Sequence, residues 1–465
     1  TPLYSSAASD VYKRQVWMMA LPLTNKLKSL MEENPISMHV PGHKNNTIGS
    51  LDKLDINMDM TEITGLDDLH HPEEVLHESM ANISKHKDYD AFYLVNGTTA
   101  GILSVIQAFA HASGDYIIPR NAHKSVFHGL EIARGNALLL GMDISQDTFQ
   151  YLGPSSSNID YFKNDYKLAV YTYPNYYGEC FDIKSQIEHL HKLQIPVLVD
   201  EAHGAHFDLE GFPQSTLNLE ADFVVQSYHK TLPSLTMSSV LFIHKDAPLR
   251  QQVINYLSYF QSSSPSYLLM SSLELAHEFY RNYKSDIFFE KRQTLINELK
   301  QQGLTVIEVD DPLKLCVSHH AYNGYELQEL FESQSIFIEL ADENQVLFVL
   351  PLWHQHDTYP FNKLLKIIKR LKLTKQSSIS QEEQMKTTAI GHYKYSANSR
   401  TRTVNVKEAE GEILGTHIVP YPPGIPIMLK GEKITANMVK LLQYWSNQKL
   451  RVEGIKNNYI EIKDE

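Results

Sequence analysis

The sequence predicts an α/β fold: a mainly parallel sheet covered by helices, followed by a second, smaller α+β unit. Three observations lead there. From Asp90 to about Val240, short apolar runs alternate with amphipathic stretches, the order expected when crossover helices return each strand to one sheet. After residue 302 that alternation gives way to a different succession of strands and helices. The 465 residues are 42% apolar and 21% charged, the proportions of a folding chain. No apolar run approaches the ~18 residues of a membrane-spanning helix.

Residues Thr1–Gln15 have no periodicity joining them to the rest of the chain and resemble translated adapter sequence, so they stand outside the fold reading. Lys13 and Arg14 before Val16–Leu23 offer a signal peptide as the other reading, against which stand the short apolar stretch and the lack of a small-residue cleavage site. Residues 16–89 form an N-terminal segment and residues 90–302 the major unit. Its strands are expected at Ala91–Val95, Asp115–Ile118, Leu168–Thr172, Val197–Val199, Phe223–Val225 and Val240–Ile243. Ile102, Leu103, Val105, Ile106 and Phe109 recur at helical spacing and predict a helix over Ala100–Ala112. A long helical region, Tyr267–Gln302, closes this unit. Residues 303–374 read as the smaller domain, with strands near Leu304–Val309 and Leu313–Val317, a helix from Tyr325, a strand pair around Asp342–Asn344 and a helix over Phe361–Leu373. The polar stretch at 375–384 reads as a linker. Residues 385–465 form a C-terminal segment in which Pro420, Pro422, Pro423, Gly424 and Pro426 forbid regular structure.

Forty-two Lys and Arg against 55 Asp and Glu leave a formal charge of −13, which argues against nucleic acid or an anionic membrane as partner and tolerates cationic small molecules. Cys180 and Cys316 are too few for a disulfide framework in a chain this long, so a cytoplasmic location is expected.

In open α/β sheets ligands collect beyond the carboxyl ends of the strands, and here several strands run straight into reactive residue types. Phe92–Val95 leads into Asn96, Gly97, Thr98 and Thr99 and then a helix, where free backbone N–H groups and two hydroxyls suit a phosphate; a simple helix cap by Thr98 is the plainer reading. Asp200 comes directly after Val197–Val199 and continues into Glu201, Ala202, His203, Gly204, Ala205 and His206. Phe223–Val225 leads into Gln226, Ser227, Tyr228, His229 and Lys230. Rim lysines and carboxylates often form ordinary salt bridges. A phosphate cradle, a carboxylate and a lysine on one rim are together what pyridoxal phosphate requires. Asp200, His203 and His206 can also be drawn as a metal site, but the i, i+3 spacing of the histidines in a Gly-containing segment is unlike the usual i, i+4, and no metal is expected. Tyr173, Asn175, Tyr176 and Tyr177 reach the same rim and read as packing.

The stretches His39-Val40-Pro41-Gly42-His43-Lys44, Asn96-Gly97-Thr98-Thr99-Ala100-Gly101, Arg120-Asn121-Ala122-His123-Lys124-Ser125, Asp200-Glu201-Ala202-His203-Gly204-Ala205-His206 and Ser227-Tyr228-His229-Lys230-Thr231-Leu232 resemble, in order and spacing, the ornithine/lysine/arginine decarboxylases. The resemblance runs from about Pro35 through Pro426 and is to the short form, without the receiver-like N-terminal domain of the long members. It implies the aspartate-aminotransferase type of fold with a mainly parallel sheet of the seven-stranded type, pyridoxal phosphate as cofactor, and a homodimer or higher homo-oligomer acting on a basic amino acid to make polyamine precursors. By the same resemblance Lys230 is the Schiff-base lysine, Asp200 the partner of the pyridine nitrogen and His123 the ring stacked on the cofactor. Thr98, Thr99, Ser227 and His229 become contacts at or near the phosphate, and His203 buttresses the Asp200 region. Ser263, within Ser262–Tyr267, reaches a neighbouring subunit's phosphate. Met237, where glutamine is expected, and Glu73-Glu74 depart from the family pattern, and neither is expected at a cofactor position. Lys230 or His229 would return a proton to Cα once carbon dioxide has left. An aminotransferase on the same fold, or a non-catalytic regulatory homologue, are the alternatives. Arginine ranks ahead of lysine and ornithine, and the acids of Thr61–Asp68 are candidates for the substrate's distal cation or else form a solvated turn.

Overall fold

A computed structural model describes residues 21–162, 165–375, 386–396, 400–447 and 450–464. The segment 1–15 and, apart from Lys375, the expected linker at 375–384 lie outside the described residues. The main sheet is built from β1 (Tyr89–Leu94), β2 (Asp115–Pro119), β3 (Ala137–Leu140), β4 (Tyr166–Thr172), β5 (Val197–Asp200), β6 (Phe223–Gln226), β7 (Ser239–His244) and β8 (Gly391–Tyr393). Its order is β8-β3-β2-β4-β5-β6-β7-β1. Neighbours from β3 to β6 run parallel, whereas β7 is antiparallel to both β6 and β1, and β8 to β3. The central strands β5 and β6 are buried along their whole length, as a sheet covered on both faces demands, so their apolar runs continue without alternation. Two apolar clusters pack the two faces, one around Tyr171, Val199 and Val224, the other around Ile118, Leu198 and Val225.

The sheet therefore has eight strands among the described residues where seven were expected. The eighth comes from the C-terminal segment and pairs with β3, a fully buried strand whose outer edge would otherwise leave backbone N–H and C=O groups unpaired. Strand β3 itself is absent from the sequence reading, because a four-residue apolar run carries no period that separates strand from helix. The helical region 267–302 is two helices, Tyr267–Asn282 and Asp286–Gln301, parted where Tyr283 turns extended and donates its hydroxyl to the Trp353 carbonyl.

Helix α1 (Gly97–Ala108) comes after β1, and α2 (Lys124–Ala133) after β2. The smaller domain carries an antiparallel sheet of Thr305–Glu308, Lys314–Ser318, Val346–Val349 and Leu340–Ala341. Strand Ile36–Met38 pairs with Ile336–Ile338 and ties the N-terminal segment to this domain. The C-terminal segment has its own core, with Val404, Leu442, Trp445 and Ile462 buried between the helix Ala436–Asn447 and the strands Thr401–Asn405 and Tyr459–Lys463. Its proline run is not wholly irregular: Val419–Pro420 pairs with Val452–Glu453, a two-residue ladder at which proline's missing N–H costs little. Among the described residues no helix is long and apolar enough to cross a membrane.

Candidate active site

Asp200 ends β5 and Ser227 comes directly after β6, so adjacent parallel strands deliver an acid and the lysine-bearing turn Tyr228–Thr231 to one rim. Beneath them the Glu201 carboxylate, fully buried, accepts from Ser215 Oγ and Thr216 N at 2.7 Å each and from the Gln226 amide. Burial pushes Glu201 up to about 7, against the pull of those donors. This polar layer locks the two strand ends together and fixes where Asp200 and Lys230 point.

Asp200 is 6% exposed, and its Oδ1 accepts from the Ala202 N–H at 3.2 Å. Burial raises its pKa, while the Lys230 charge and that N–H pull it down. Burial lowers the pKa of Lys230, opposed by Asp200 and Glu339. The Lys230 Nζ lies 3.2 Å from Nε2 of His203, whose Nδ1 lies 3.0 Å from Nζ of Lys314. Burial and these two lysines hold His203 well below the ordinary histidine range. The Tyr176 ring meets the His203 ring edge-on with centroids 4.4 Å apart, and its hydroxyl donates to Glu339.

On the other side of the rim His123 caps α2, its Nδ1 2.8 Å from Ser125 Oγ and accepting from the Ser125 N–H. Burial and then Lys230 lower it to about 3, so the ring is neutral and its Nε2 carries the hydrogen. Gly424, from the proline run, passes so close that a Cβ there would stand 2.9 Å from Nε2 of His123. At the start of α1 Gly97 donates its N–H to the Met237 carbonyl, and Thr98 Oγ1 lies 3.3 Å from Ser227 Oγ. The first turn of this helix, with exposed Thr99, presents its N–H groups beside those two hydroxyls. The Met237 backbone thus borders the candidate phosphate cradle, although no cofactor position was expected there.

His229 donates from Nδ1 to the Ser238 carbonyl at 3.0 Å, and burial lowers it to about 4. Its own carbonyl accepts from the Gly42 N–H at 2.7 Å. The His39–Lys44 stretch is thereby a buttress: it grips the lysine turn through Gly42 and the smaller domain through Lys44, whose Nζ donates to the Val349 carbonyl at 2.9 Å. His206 is engaged elsewhere, in a fully buried pair with Asp311 at 2.9 Å.

The structure brings Thr98, His123, Asp200, His203, Ser227, His229 and Lys230 to one rim. Ser263 is exposed on this chain, in a segment whose Ser262 carbonyl lies 2.9 Å from His70 Nε2. Two of the three acids of Thr61–Asp68 are otherwise occupied: Asp67 accepts from the N–H groups of Glu73, Glu74 and Leu76 at the start of the helix Val75–Asn82, and Asp68 from that of His70, while Glu62 is exposed. Glu73 and Glu74, which depart from the family pattern, supply two of those N–H groups. Lys314, Tyr176 and Glu339 escaped the sequence reading. Tyr176 lay in a cluster read as packing, and Lys314 had one visible signal, a lysine inside the apolar strand Leu313–Val317.

Comparison with known proteins bears on this geometry. Residues 21–315 match the family model described as Orn/Lys/Arg decarboxylase, major domain, and residues 372–458 match the Orn/Lys/Arg decarboxylase, C-terminal domain. The chain is 37% identical to the uncharacterized protein YaaO of Bacillus subtilis, over 94% of this chain and 96% of that one. It is 27% identical to the arginine decarboxylase of the same organism, over 95% and 96%. Among solved structures, lysine decarboxylase A from Pseudomonas aeruginosa superposes with a TM-score of 0.67 at 15% identity, covering 87% of this chain and 74% of that one. The constitutive lysine decarboxylase of E. coli gives 0.64 at 15% identity, covering 100% and 85%. At such identities the likeness speaks to the fold.

Proposed function

The chain belongs to the Orn/Lys/Arg decarboxylase family, whose members are pyridoxal-phosphate-dependent carboxy-lyases, and from that premise we propose that it decarboxylates a basic L-amino acid, with arginine preferred, at the rim formed by Asp200, Lys230 and His123. The observation that carries this reading is the donor set. A buried amine, a buried carboxylate held by one backbone N–H, and a helix start flanked by two hydroxyls suit an aldehyde, a protonated ring nitrogen and a phosphate respectively. When bound, the cofactor supplies an electron sink for the bond to carbon dioxide.

This chain's own residues do the rest. Lys230 would hold the cofactor, and Asp200, kept from water, would hold the proton on the ring nitrogen. His123, neutral and capped by Gly424, would form the wall against the ring's face. Thr98, Thr99, Ser227 and the first N–H groups of α1 would hold the phosphate. His229 has its Nδ1–H committed to the Ser238 carbonyl, which leaves Nε2 as a lone pair that would take up a proton before passing it to Cα; Lys230 is the other candidate for that duty. A cavity of about 370 Å³ beside Tyr176 carries Glu339, Asp342 and Glu343 against Lys386 and Arg451; each acid already accepts from a protein donor, such as the Tyr176, Tyr177 and Tyr325 hydroxyls, and their remaining lone pairs leave a net acidic lining that suits a cationic side chain. The arginine preference rests on the relatives named arginine decarboxylase, from Bacillus subtilis and, at 26% identity, from Halalkalibacterium halodurans. The exposed Ser262–Ser264 segment supports a homodimer in which Ser263 serves the neighbouring subunit's site, and the two free cysteines support a reducing, cytoplasmic setting.

The test is carbon dioxide release from arginine, lysine and ornithine with added pyridoxal phosphate. Release from all or one of the three, with the highest kcat/KM on arginine, is expected. Failure of all three, or accumulation of a keto acid, overturns the activity; a higher kcat/KM on lysine or ornithine overturns only the ranking.

A further inference from the structure

Lys314 belongs to the smaller domain, yet its amine reaches the major domain's rim. It is fully buried, and its stem is pinned: the strand residue pairs with Val349, and a Cβ on Gly178 would stand 2.6 Å from the Lys314 Cγ. The turn before it is fastened by Asp311, which binds His206 with its carboxylate, the Leu313 N–H at 2.9 Å, and the Lys314 N–H with its carbonyl at 3.0 Å. So anchored, Lys314 Nζ stands 3.0 Å from His203 Nδ1, and His203 Nε2 stands 3.2 Å from Lys230 Nζ.

A neutral imidazole has one N–H and one lone-pair nitrogen, so it cannot accept from two ammonium groups at once. Burial between two lysines keeps His203 neutral. One of the two amines must then be a free base that accepts the imidazole N–H. The surroundings assign which. Burial lowers both amines, and each has two carboxylates acting through space, Glu339 and Asp311 on Lys314, Asp200 and Glu339 on Lys230. What sets Lys314 apart is that its Nζ also reaches the Tyr176 carbonyl at 3.5 Å and lies 5.5 Å from the centre of the Tyr176 ring, both of which stabilise an ammonium. Lys230 has His203 as its one described hydrogen-bond partner, and the charges of Asp200 and Glu339 reach it only through space. His123 and His229, the other titratable groups facing this cluster, are neutral, and Lys44 and Cys316 border Lys314 without bonding it.

We propose that Lys314 is a positioning residue for Lys230: as an ammonium it donates to Nδ1 of His203, fixes the imidazole as the Nε2–H tautomer, and so obliges the Lys230 amine to be the free base that accepts from it. Only the free base has a lone pair to add to a carbonyl carbon, so the smaller domain arms the major domain's nucleophile through one histidine. The inference rests on Lys230 being the cofactor lysine, and it deepens that reading.

The experiment needs no cofactor. Full-length protein, freed of carbonyl compounds by dialysis against hydroxylamine, is pulsed with acetic anhydride between pH 6 and 10, and acetylation of Lys230 is read by peptide mass mapping against exposed Lys407. In the wild type the Lys230 midpoint should lie at least one pH unit below that of Lys407. Lys314→Met should raise it by about one unit, an approximately tenfold loss of reactivity at pH 7.5, while Lys314→Arg, still a cationic donor, should keep it low. In the wild type the ¹⁵N shifts of His203, assigned by their loss in His203→Gln, should show Nε2 protonated and Nδ1 bare. An unshifted midpoint in Lys314→Met, or a His203 protonated at Nδ1, overturns the proposal. Should the methionine variant fail to fold, Lys314→Leu, which likewise has no donor, carries the same expectation, and the wild-type ¹⁵N result decides by itself. A chain that passes these tests but binds no pyridoxal phosphate would overturn the proposed function and leave this inference standing.

Discussion

Asp200 shows how much one side chain's surroundings decide. A carboxylate this buried, with one described N–H donor at 3.2 Å and the Lys230 charge beside it, keeps acceptor capacity for a further donor, and a ring N–H is the donor the proposed cofactor brings. Asp200→Asn keeps volume and nearly the same shape but cannot hold a proton on that nitrogen. We expect the variant to fold with a melting temperature within a few degrees of wild type, to retain some cofactor, and to lose about 10²-fold or more in kcat, since the interaction removed is charge stabilisation in a dry site. Carbon dioxide release and thermal melts on the same preparation check it. Wild-type turnover in the asparagine variant would remove Asp200 from the proposed chemistry.

At the scale of elements, the lysine turn is held by a loop nearly two hundred residues earlier in the chain. Gly42 touches it so closely that a Cβ would stand 2.5 Å from the Leu232 carbonyl oxygen and 2.8 Å from the Thr231 carbonyl carbon, backbone atoms that cannot swing aside as a side-chain tip can. Gly42→Ala must therefore push the loop away or displace the turn carrying Lys230, with overpacking strain of about 1–3 kcal/mol. The expected result is a melting temperature lower by several degrees together with reduced kcat, because misplacement of a reacting group costs rate as well as stability. An alanine variant with unaltered melting temperature and kcat would show that the contact is not tight.

Over the whole molecule, the many histidines taken wholly or partly out of water set an acid limit. Burial, reinforced at most of these positions by nearby cations, lowers His43, His229 and His417 to about 4 and His123 and His277 to about 3. An unfolded histidine titrates near about 6.5. As pH falls through that value the unfolded chain takes up protons that the native chain refuses, so stability present above pH 6.5 is lost on acidification. Glu201 and Asp342, raised by burial to about 7 and about 6, act in the opposite sense, as do Asp200, raised by burial, and His191, raised by its bond to Asp222, but they are fewer than the lowered histidines. Melting temperature of the cofactor-free protein should therefore drop between pH 7 and pH 5, most steeply below 6.5. A flat or rising profile over that window would contradict the balance.

The amino-acid sequence by itself determined the alternation of strands and helices and the run of reactive residues past the strand ends, including Asp200, Ser227 and Lys230. These are local facts: a buried parallel strand is a short apolar run, and the residues next after it in the chain must emerge at the sheet's carboxyl edge. The pairing of β8 with β3, the occupation of Asp67 by helix N–H groups, and the placing of Tyr176, Glu339 and Lys314 around His203 were decided only by the tertiary structure. Lys314 lies 111 residues beyond His203, and no period along the chain encodes that contact. A lysine within an apolar strand signals only that it must find partners when buried; which ones it finds depends on how two domains close on each other, and that is a property of the packed surfaces and of no single segment.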